Sequence, residues 1–375
     1  MTARGAGADG ASEASAPHQG VAAAPIVGPP EFVRGAPGFD LTPQLAVLLG
    51  GGTLDERTSA EAFEAIMTGA TSQAEIAAFL ALLAARGPTL DELVGAARVM
   101  RRHVQRVPTT IAPERLLDTA GTGGAPKTFN VSTAAAIVAA AGGAVVAKHG
   151  NRSRTGRGSA EVLAALGVDV DAEGARQSRC LDAAGVCFCF AIHHHPAARH
   201  AMPVRKALGF PTIFNLLGPL TNPAGAQRQL MGVYDRRFLR LLAGALARLG
   251  ARHALVVHGG DGLDELSIGA PTFVAEVRDG AVREYELDPA RLGLRRAEAS
   301  SLAARDVDHA AALVRGVLSG GERGPHRDMT LLNAAAALFA AGVEPSIEAG
   351  LSAAAAAIDD GRAMATLARL IEASR

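Results

Sequence analysis

Three short stretches of this 375-residue chain concentrate groups that hold anions and metal ions. The first is Gly121-Thr122-Gly123-Gly124, followed by Thr128-Phe129-Asn130-Val131-Ser132-Thr133 and a run of alanines. Glycines admit close main-chain approach, and a helix starting directly afterwards presents unpaired backbone N–H groups beside hydroxyls, a donor array that suits phosphate. Taken alone, the same spacing also serves tight packing. It lacks the Gly-Lys-Ser/Thr ending of a Walker loop and the Gly-x-Gly-x-x-Gly dinucleotide fingerprint, which argues against kinase and dehydrogenase chemistry.

The second stretch runs from Lys148-His149-Gly150-Asn151-Arg152 through Arg154 and Arg157 to Ser159, placing four cations among hydroxyls after an apolar segment at 144–147. Alone it reads as a solvated basic loop; with the first it points to a polyphosphate pocket. In the third, Gly259-Gly260-Asp261-Gly262-Leu263-Asp264-Glu265 follows the apolar run 255–258. Adjacent carboxylates at a strand end suit Mg²⁺, which takes a few protein oxygens and shares the rest of its shell with substrate phosphates. No Gly-x-Ser-x-Gly elbow is present, and Cys187 and Cys189 alternate in an apolar run, so no covalent nucleophile is expected. Neighbouring side chains such as His193, His194 and His195 do not easily converge on one ion, so no zinc site is expected there.

Polar stretches of this kind need strands in front of them. Between about 41 and 106 the spacing is helical, and Thr71-Ser72-Gln73-Ala74-Glu75 and Thr89-Leu90-Asp91-Glu92 each put a hydroxyl ahead of an acid at a helix start. After Val107-Pro108, short apolar runs alternate with glycines and alanine-rich helices, the texture of a parallel sheet with crossover helices. Strands are predicted over 144–147, 185–191 and 253–258. Segments 272–278 and 281–285 flank Asp279-Gly280 and predict a hairpin, so the sheet is expected to be mixed. Segment 195–209 reads as helical, and alanine-rich helices close the chain from 331 to 375.

Composition narrows the partners. Lys plus Arg equals Asp plus Glu, 37 each, so no global charge draws the chain to nucleic acid or a membrane surface. With two Tyr and no Trp, base stacking is poorly served. No apolar run has the length of a membrane span. The first forty residues are rich in Ala, Gly, Ser and Pro and predict a disordered tail, with neither a signal nor a transit peptide. Three clustered cysteines favour a reducing, cytoplasmic setting.

Together the motifs GTGG with TFNVST, KHGNR, HAMPVRKALG with TIFNLLGPLTNPA, and the Asp264-Glu265 pair resemble the type II phosphoribosyltransferase family. That family contains anthranilate phosphoribosyltransferases and pyrimidine nucleoside phosphorylases. The likeness runs in family order from about 41 to the C-terminus, and the two longer segments point to the anthranilate branch. It implies an α/β protein with a small all-helical N-terminal domain and a larger α/β domain, whose central mixed, mostly parallel sheet is flanked by helices. Residues 1–38 would form the tail and 39–108 the helical domain, joined by helices from about 195–222. Residues 109–194 and 223–375 would form the part that binds 5-phosphoribosyl 1-diphosphate. A homodimer through the helical domain is also implied, with no nucleic-acid or membrane partner.

The implied reaction transfers the phosphoribosyl group to the amine of anthranilate, releasing diphosphate, with Mg²⁺, in tryptophan biosynthesis. Gly121, Thr122, Gly123, Asn130, Ser132, Thr133 and Lys148 would line the donor site, extended by Gly124, Lys127 and Thr128 of the same turn and by Arg157 and Ser159 of the basic loop. Asp264 and Glu265, with Ser132, would hold the metal. His149, Asn151, Arg205 and Pro219 would surround the acceptor, Arg205 gripping its carboxylate with a planar fork.

This chain departs from the family pattern in places. Ala125-Pro126-Lys127 stands where relatives carry an Asp-Gly pair, and the loop after KHGNR is shorter and more basic, which implies donor binding with less reliance on a second metal. The histidine run before Pro196, together with Pro211, keeps open a paralogue acting on another aromatic amine. A pyrimidine nucleoside phosphorylase and a catalytically silent nucleic-acid binder remain as alternatives. Arg205 speaks against the first and the balanced charge against the second.

Overall fold

In the computed structural model, residues 38–126, 128–153 and 156–375 are described. The expected tail, apart from Gly38, lies outside the described residues, as do Lys127, Arg154 and Thr155.

Hydroxyl-acid pairs start two of the first four helices. The Ser72 hydroxyl accepts the Glu75 N–H at 3.2 Å while Glu75 Oε2 accepts the Ser72 N–H at 2.9 Å, and Thr89 and Glu92 repeat the reciprocal pair. Each box satisfies two backbone donors that a helix start leaves open. The helices are α1 (Thr42–Leu49), α2 (Glu56–Thr68), α3 (Gln73–Arg86) and α4 (Leu90–Arg102). At Gly95 of α4 an added Cβ would sit 2.3 Å from the Glu56 carbonyl oxygen, so its small size sets how closely α4 meets the start of α2.

Beyond them the order is β1 (Leu116–Asp118), α5 (Val131–Ala141), β2 (Val145–Gly150), α6 (Ser159–Leu166), α7 (Ala175–Ala184), β3 (Val186–Phe190), α8 (Ala191–His194), α9 (Met202–Leu208) and α10 (Ile213–Leu217). Then come β4 (Arg228–Gly232), α11 (Leu239–Arg248), β5 (His253–Gly259), β6 (Thr272–Arg278), β7 (Ala281–Leu287), α12 (Val307–Leu318), α13 (Pro325–Ala341), α14 (Ile347–Asp359) and α15 (Arg362–Ser374). The strands form a seven-stranded sheet in the order β3-β2-β1-β4-β5-β6-β7, parallel as far as β5 and antiparallel from β5 to β7. This is the expected mixed, mostly parallel α/β sheet with a helical N-terminal bundle.

Asp279 and Gly280 both have positive φ, +47° and +83°, the requirement of the tight turn joining β6 to β7. Alternate side chains of the central strands enter two cores. Leu230, Leu255 and Val257 face one with α5 and α12 to α15; Met231, Ala254 and Val256 face the other with α11, α10 and the N-terminal helices. Phe214 of α10 lies against Phe63 of α2 at 5.8 Å between ring centroids, so the mid-chain helices share the bundle's core.

Two details differ from the sequence expectation. β2 continues through Lys148 and His149, which pair in register with Phe188 and Cys189 of β3, so both residues sit on the strand rather than in the loop after it. β4 was not foreseen. Arg228-Gln229-Leu230-Met231-Gly232 carries no β-branched residue, and its place between β1 and β5 buries it regardless of propensity.

Candidate functional site

β1 has β2 on one side and β4 on the other, so the connections leave the sheet in opposite directions at its centre. Open α/β sheets bind ligands in the crevice at the carboxyl ends of such strands. Three of the sequence motifs meet there.

The glycine turn leaves β1 and crosses to the end of β4. The Thr122 N–H donates to the Gly232 carbonyl at 2.9 Å, and the Thr122 hydroxyl accepts the Tyr234 N–H at 3.0 Å. A Cβ on Gly121 would lie 2.9 Å from that same carbonyl oxygen, and Gly123 and Gly124 have φ of +61° and +99°. Asn130 enters α5 at φ +70°, a strained conformation for a residue with a side chain, and swings Ser132 and Thr133 into the helix's first turn. Its side-chain amide donates to the Arg157 carbonyl at 3.3 Å, tying the turn to the basic loop.

From β5 comes the carboxylate pair. A Cβ on Gly232 would fall 1.6 Å from the Asp264 carbonyl oxygen, so the Asp264 backbone lies directly on the end of β4. The Thr128 hydroxyl donates to Glu265 Oε2 at 3.2 Å. Lys148, 3 % exposed, points from β2 into the same space and donates to the Thr119 carbonyl and hydroxyl at 3.3 and 3.2 Å and to the Ser132 hydroxyl at 3.3 Å. The structure thus brings the glycine turn, the start of α5, Lys148 and Asp264-Glu265 together.

Electrostatically this crevice is short of positive charge. Burial lowers the Lys148 ammonium to about 8, with Asp118 and Glu265 pulling it back up. The Glu265 carboxyl is pushed well above its usual range, first by burial and then by the neighbouring Asp264, against the opposing Thr128 hydroxyl, Ser132 N–H and Lys148. A pair of like charges that destabilise each other fits a divalent cation. Mg²⁺ needs only a few such protein oxygens, and the described residues contain no group of three or more His, Cys, Asp or Glu arranged to hold a metal alone.

On the other face of β2, His149 meets His195, Nε2 to Nε2 at 3.2 Å with ring centroids 5.0 Å apart. Burial holds both imidazoles neutral: His149 lies well below the ordinary histidine value and His195 at about 4, each lowered further by its neighbouring histidines. Pro219 is buried, its carbonyl accepting the Gln229 amide at 2.7 Å. Arg205 on α9 lies over the Phe214 ring, 4.9 Å from the centroid, its guanidinium donating to Met202 Sδ at 3.4 Å. It makes no ion pair among the described residues, and burial lowers its pKa.

Other predicted residues are less directly placed. Asn151 is exposed beyond β2, its side-chain oxygen accepting the Arg152 N–H. The Ser159 hydroxyl donates to the Asn151 carbonyl at 3.4 Å. The Arg157 guanidinium donates to the Ala304 carbonyl, so its link to the donor turn runs through its own backbone oxygen. Lys127 lies outside the described residues. Sequence reasoning missed Asp118, Thr119, Tyr234 and Asn222, and left His195 without a role. For Tyr234 the one sequence signal is its place two residues after a glycine at a strand end, a strand that was itself unforeseen.

Helical bundle, mixed sheet and phosphate-suited crevice together define a glycosyltransferase. Residues 44–104 match the helical bundle domain of the glycosyl transferase family and residues 113–364 its a/b domain. An anthranilate phosphoribosyltransferase of Rubrobacter xylanophilus is 51% identical over 327 residues, covering 87% of this chain and 95% of that protein. The crystal structure of the Thermus thermophilus anthranilate phosphoribosyltransferase superposes with a TM-score of 0.83 at 42% identity, covering 88% of this chain and 99% of that one. The Saccharomyces cerevisiae enzyme in complex with PRPP and Mg gives 0.80 at 27% identity, over 89% and 97%. The chain belongs to the anthranilate phosphoribosyltransferase family, which are pentosyltransferases of tryptophan biosynthesis.

Proposed function

We propose that this chain transfers the phosphoribosyl group of 5-phosphoribosyl 1-diphosphate to the amine of anthranilate, releasing diphosphate. The observation that carries the reading is the convergence of the Gly121 turn, the α5 start, Lys148 and Asp264-Glu265 at the switch point of the sheet. Gly121, Thr122, Gly123 and Gly124 supply close backbone approach for the diphosphate. Thr128, Asn130, Ser132 and Thr133 add hydroxyl, amide and helix-start donors, and Lys148 adds a charge. Ser132, Asp264 and Glu265 would hold Mg²⁺, which when bound stabilises negative charge growing on the departing diphosphate.

Opposite the leaving group the acceptor amine attacks a sugar carbon that has gained cationic character. Arg205, which makes no ion pair among the described residues, grips the anthranilate carboxylate and orients the amine. His149 and His195, held neutral, keep cationic charge away from the nucleophile; Asn151 and Pro219 bound the slot. Lys127 of the glycine turn and Arg157 and Ser159 of the basic loop complete the donor site, with Arg157 acting by holding the basic loop to Asn130 and Ala304. The basic loop lowers dependence on a second metal, and donor affinity titrated against Mg²⁺ with Lys127→Ala and Arg157→Ala tests this: unchanged binding in both variants rejects it.

The domain division is proposed as 39–108 with 195–222, against 109–194 with 223–375, on the strength of the core that residues 201–220 share with the N-terminal helices. A homodimer through the helical domain is supported by exposed Val47 and Leu49 on α1, the latter 77 % exposed. The cytoplasm suits three buried free cysteines; no helix among the described residues is long and apolar enough to cross a membrane.

The deciding assay mixes purified protein, 5-phosphoribosyl 1-diphosphate, Mg²⁺ and anthranilate and follows loss of anthranilate fluorescence. A flat trace, with diphosphate released from the donor when another arylamine is supplied instead, overturns the acceptor assignment.

A further inference from the structure

Asp118 closes β1 with 1 % of its surface exposed, a costly place for a carboxylate that makes no ion pair among the described residues. The main-chain ladder explains what it is doing there. β1 pairs with β2 only at Leu116↔Val145 and Leu117↔Val146, while β2 runs on through Lys148 and His149 to Gly150. On its other edge β1 keeps pairing with β4 through Asp118↔Gln229, and the chain then turns away into the glycines. The N–H of His149 would face that gap, and a buried backbone donor without a partner is rarely tolerated.

Asp118 Oδ1 accepts it at 3.0 Å, and the same oxygen accepts the Ala120 N–H at 3.1 Å, at the entry to the glycine turn. Asn222 performs the matching service two residues earlier, its amide donating to the Ala147 carbonyl at 2.8 Å. One oxygen atom therefore binds the backbone of the donor turn to the backbone of the strand that presents Lys148 to the donor side and His149 to the other face.

We propose that Asp118 is a positioning residue for the transfer reaction: its carboxylate oxygen replaces the missing β1–β2 ladder and holds the donor turn and the acceptor-side histidine in one register. The inference rests on the transfer reading above. Burial raises the Asp118 carboxyl to about 6, with Asn222, the His149 N–H and Lys148 opposing, so the group is ionised and a strong acceptor at neutral pH. Misplacing reacting groups by about 1 Å costs on the order of 100-fold in rate.

The experiment compares wild type, Asp118→Asn and Asp118→Ala in kcat, in KM for anthranilate, in the affinity for 5-phosphoribosyl 1-diphosphate with Mg²⁺, and in Tm. Wild type must transfer to anthranilate; if it does not, the proposed function fails rather than this inference. Asparagine keeps a carbonyl oxygen at the same place and is expected to retain kcat within about fivefold, whereas alanine lowers kcat per folded molecule at saturating substrates by about 10- to 100-fold. An alanine variant within about threefold of wild-type kcat, or an asparagine variant that falls as far as alanine, overturns the proposal. Should the alanine variant not fold, hydrogen exchange at the His149 amide decides: protection kept in Asp118→Asn supports the role, and protection lost with kcat intact overturns it.

Discussion

At the scale of single residues, the acceptor side offers the sharpest test. Arg205 is half-buried, stacked on Phe214 and without an ion pair among the described residues, a guanidinium held ready for an anion from outside. A charge-assisted fork contributes about 1.5–3 kcal/mol. Arg205→Ala is therefore expected to raise KM for anthranilate at least tenfold with donor affinity unchanged, and Arg205→Lys to recover only part of it. Equal losses for both substrates in steady-state kinetics would assign Arg205 a general structural part instead.

The buried histidines set a pH dependence. His195, at about 4 in the folded protein, and His149, held well below the ordinary histidine value by burial, are neutral in the fold but titrate near 6.5 when unfolded. Their folded values are depressed, so the unfolded chain binds more protons as pH falls, and stability present above 6.5 drains away between 6.5 and 4. Asp118, raised from 3.8 to about 6, and Glu265, raised to about 8 by burial and then by Asp264, run the other way and offset that loss. Tm measured from pH 7.5 down to 5 should show wild type losing stability relative to His195→Asn as the pH falls, because only wild type carries the depressed imidazole. A Tm difference between the two proteins that does not change with pH would mean that the His195 imidazole is solvated.

Elements impose their own constraint through close backbone contacts. Gly232 ends β4 where any side chain would run into the Asp264 carbonyl, and Gly121 abuts the Gly232 carbonyl in turn. The carboxylate pair and the donor turn thus rest on one strand end. Gly232→Ala is expected to push the Asp264-Glu265 segment outward and weaken donor binding by tenfold or more in calorimetry, while Gly123→Ala, with open space around it, costs only the strain of positive φ, about 1 kcal/mol. Comparable donor affinity in the two variants would show that this contact does not position the metal ligands.

Across the whole molecule, the helical bundle and the mid-chain helices behave as one packed body. Phe63, fully buried, touches Phe79 edge-on at 5.8 Å and Phe214 of α10 at the same distance, and Phe214 carries Arg205 on its other contact. Phe63→Ala should lower unfolding free energy in urea by about 3–5 kcal/mol. It should also raise KM for anthranilate in the protein that remains folded, because the floor beneath Arg205 has lost its support. Destabilisation with unchanged KM would separate the two.

The sequence by itself determined what local chemistry can encode. Glycines that need positive φ, capping pairs at Ser72 and Thr89, the Asp279-Gly280 turn and the adjacent carboxylates 264 and 265 all depend on neighbours within a few residues. The motif resemblance added the family and the roles. Tertiary structure alone decided what depends on strands far apart in the chain meeting side by side. Only the order β2-β1-β4 places Lys148, Thr122 and Gly232 around one crevice, buries an unpromising β4, and leaves a gap in the ladder for Asp118 to fill. Likewise His195, one of three adjacent histidines indistinguishable by type, becomes the partner of His149 because the chain folds it back onto β2, 46 residues away. Sequence records which groups are available, and backbone hydrogen bonding between distant strands selects which of them face one another.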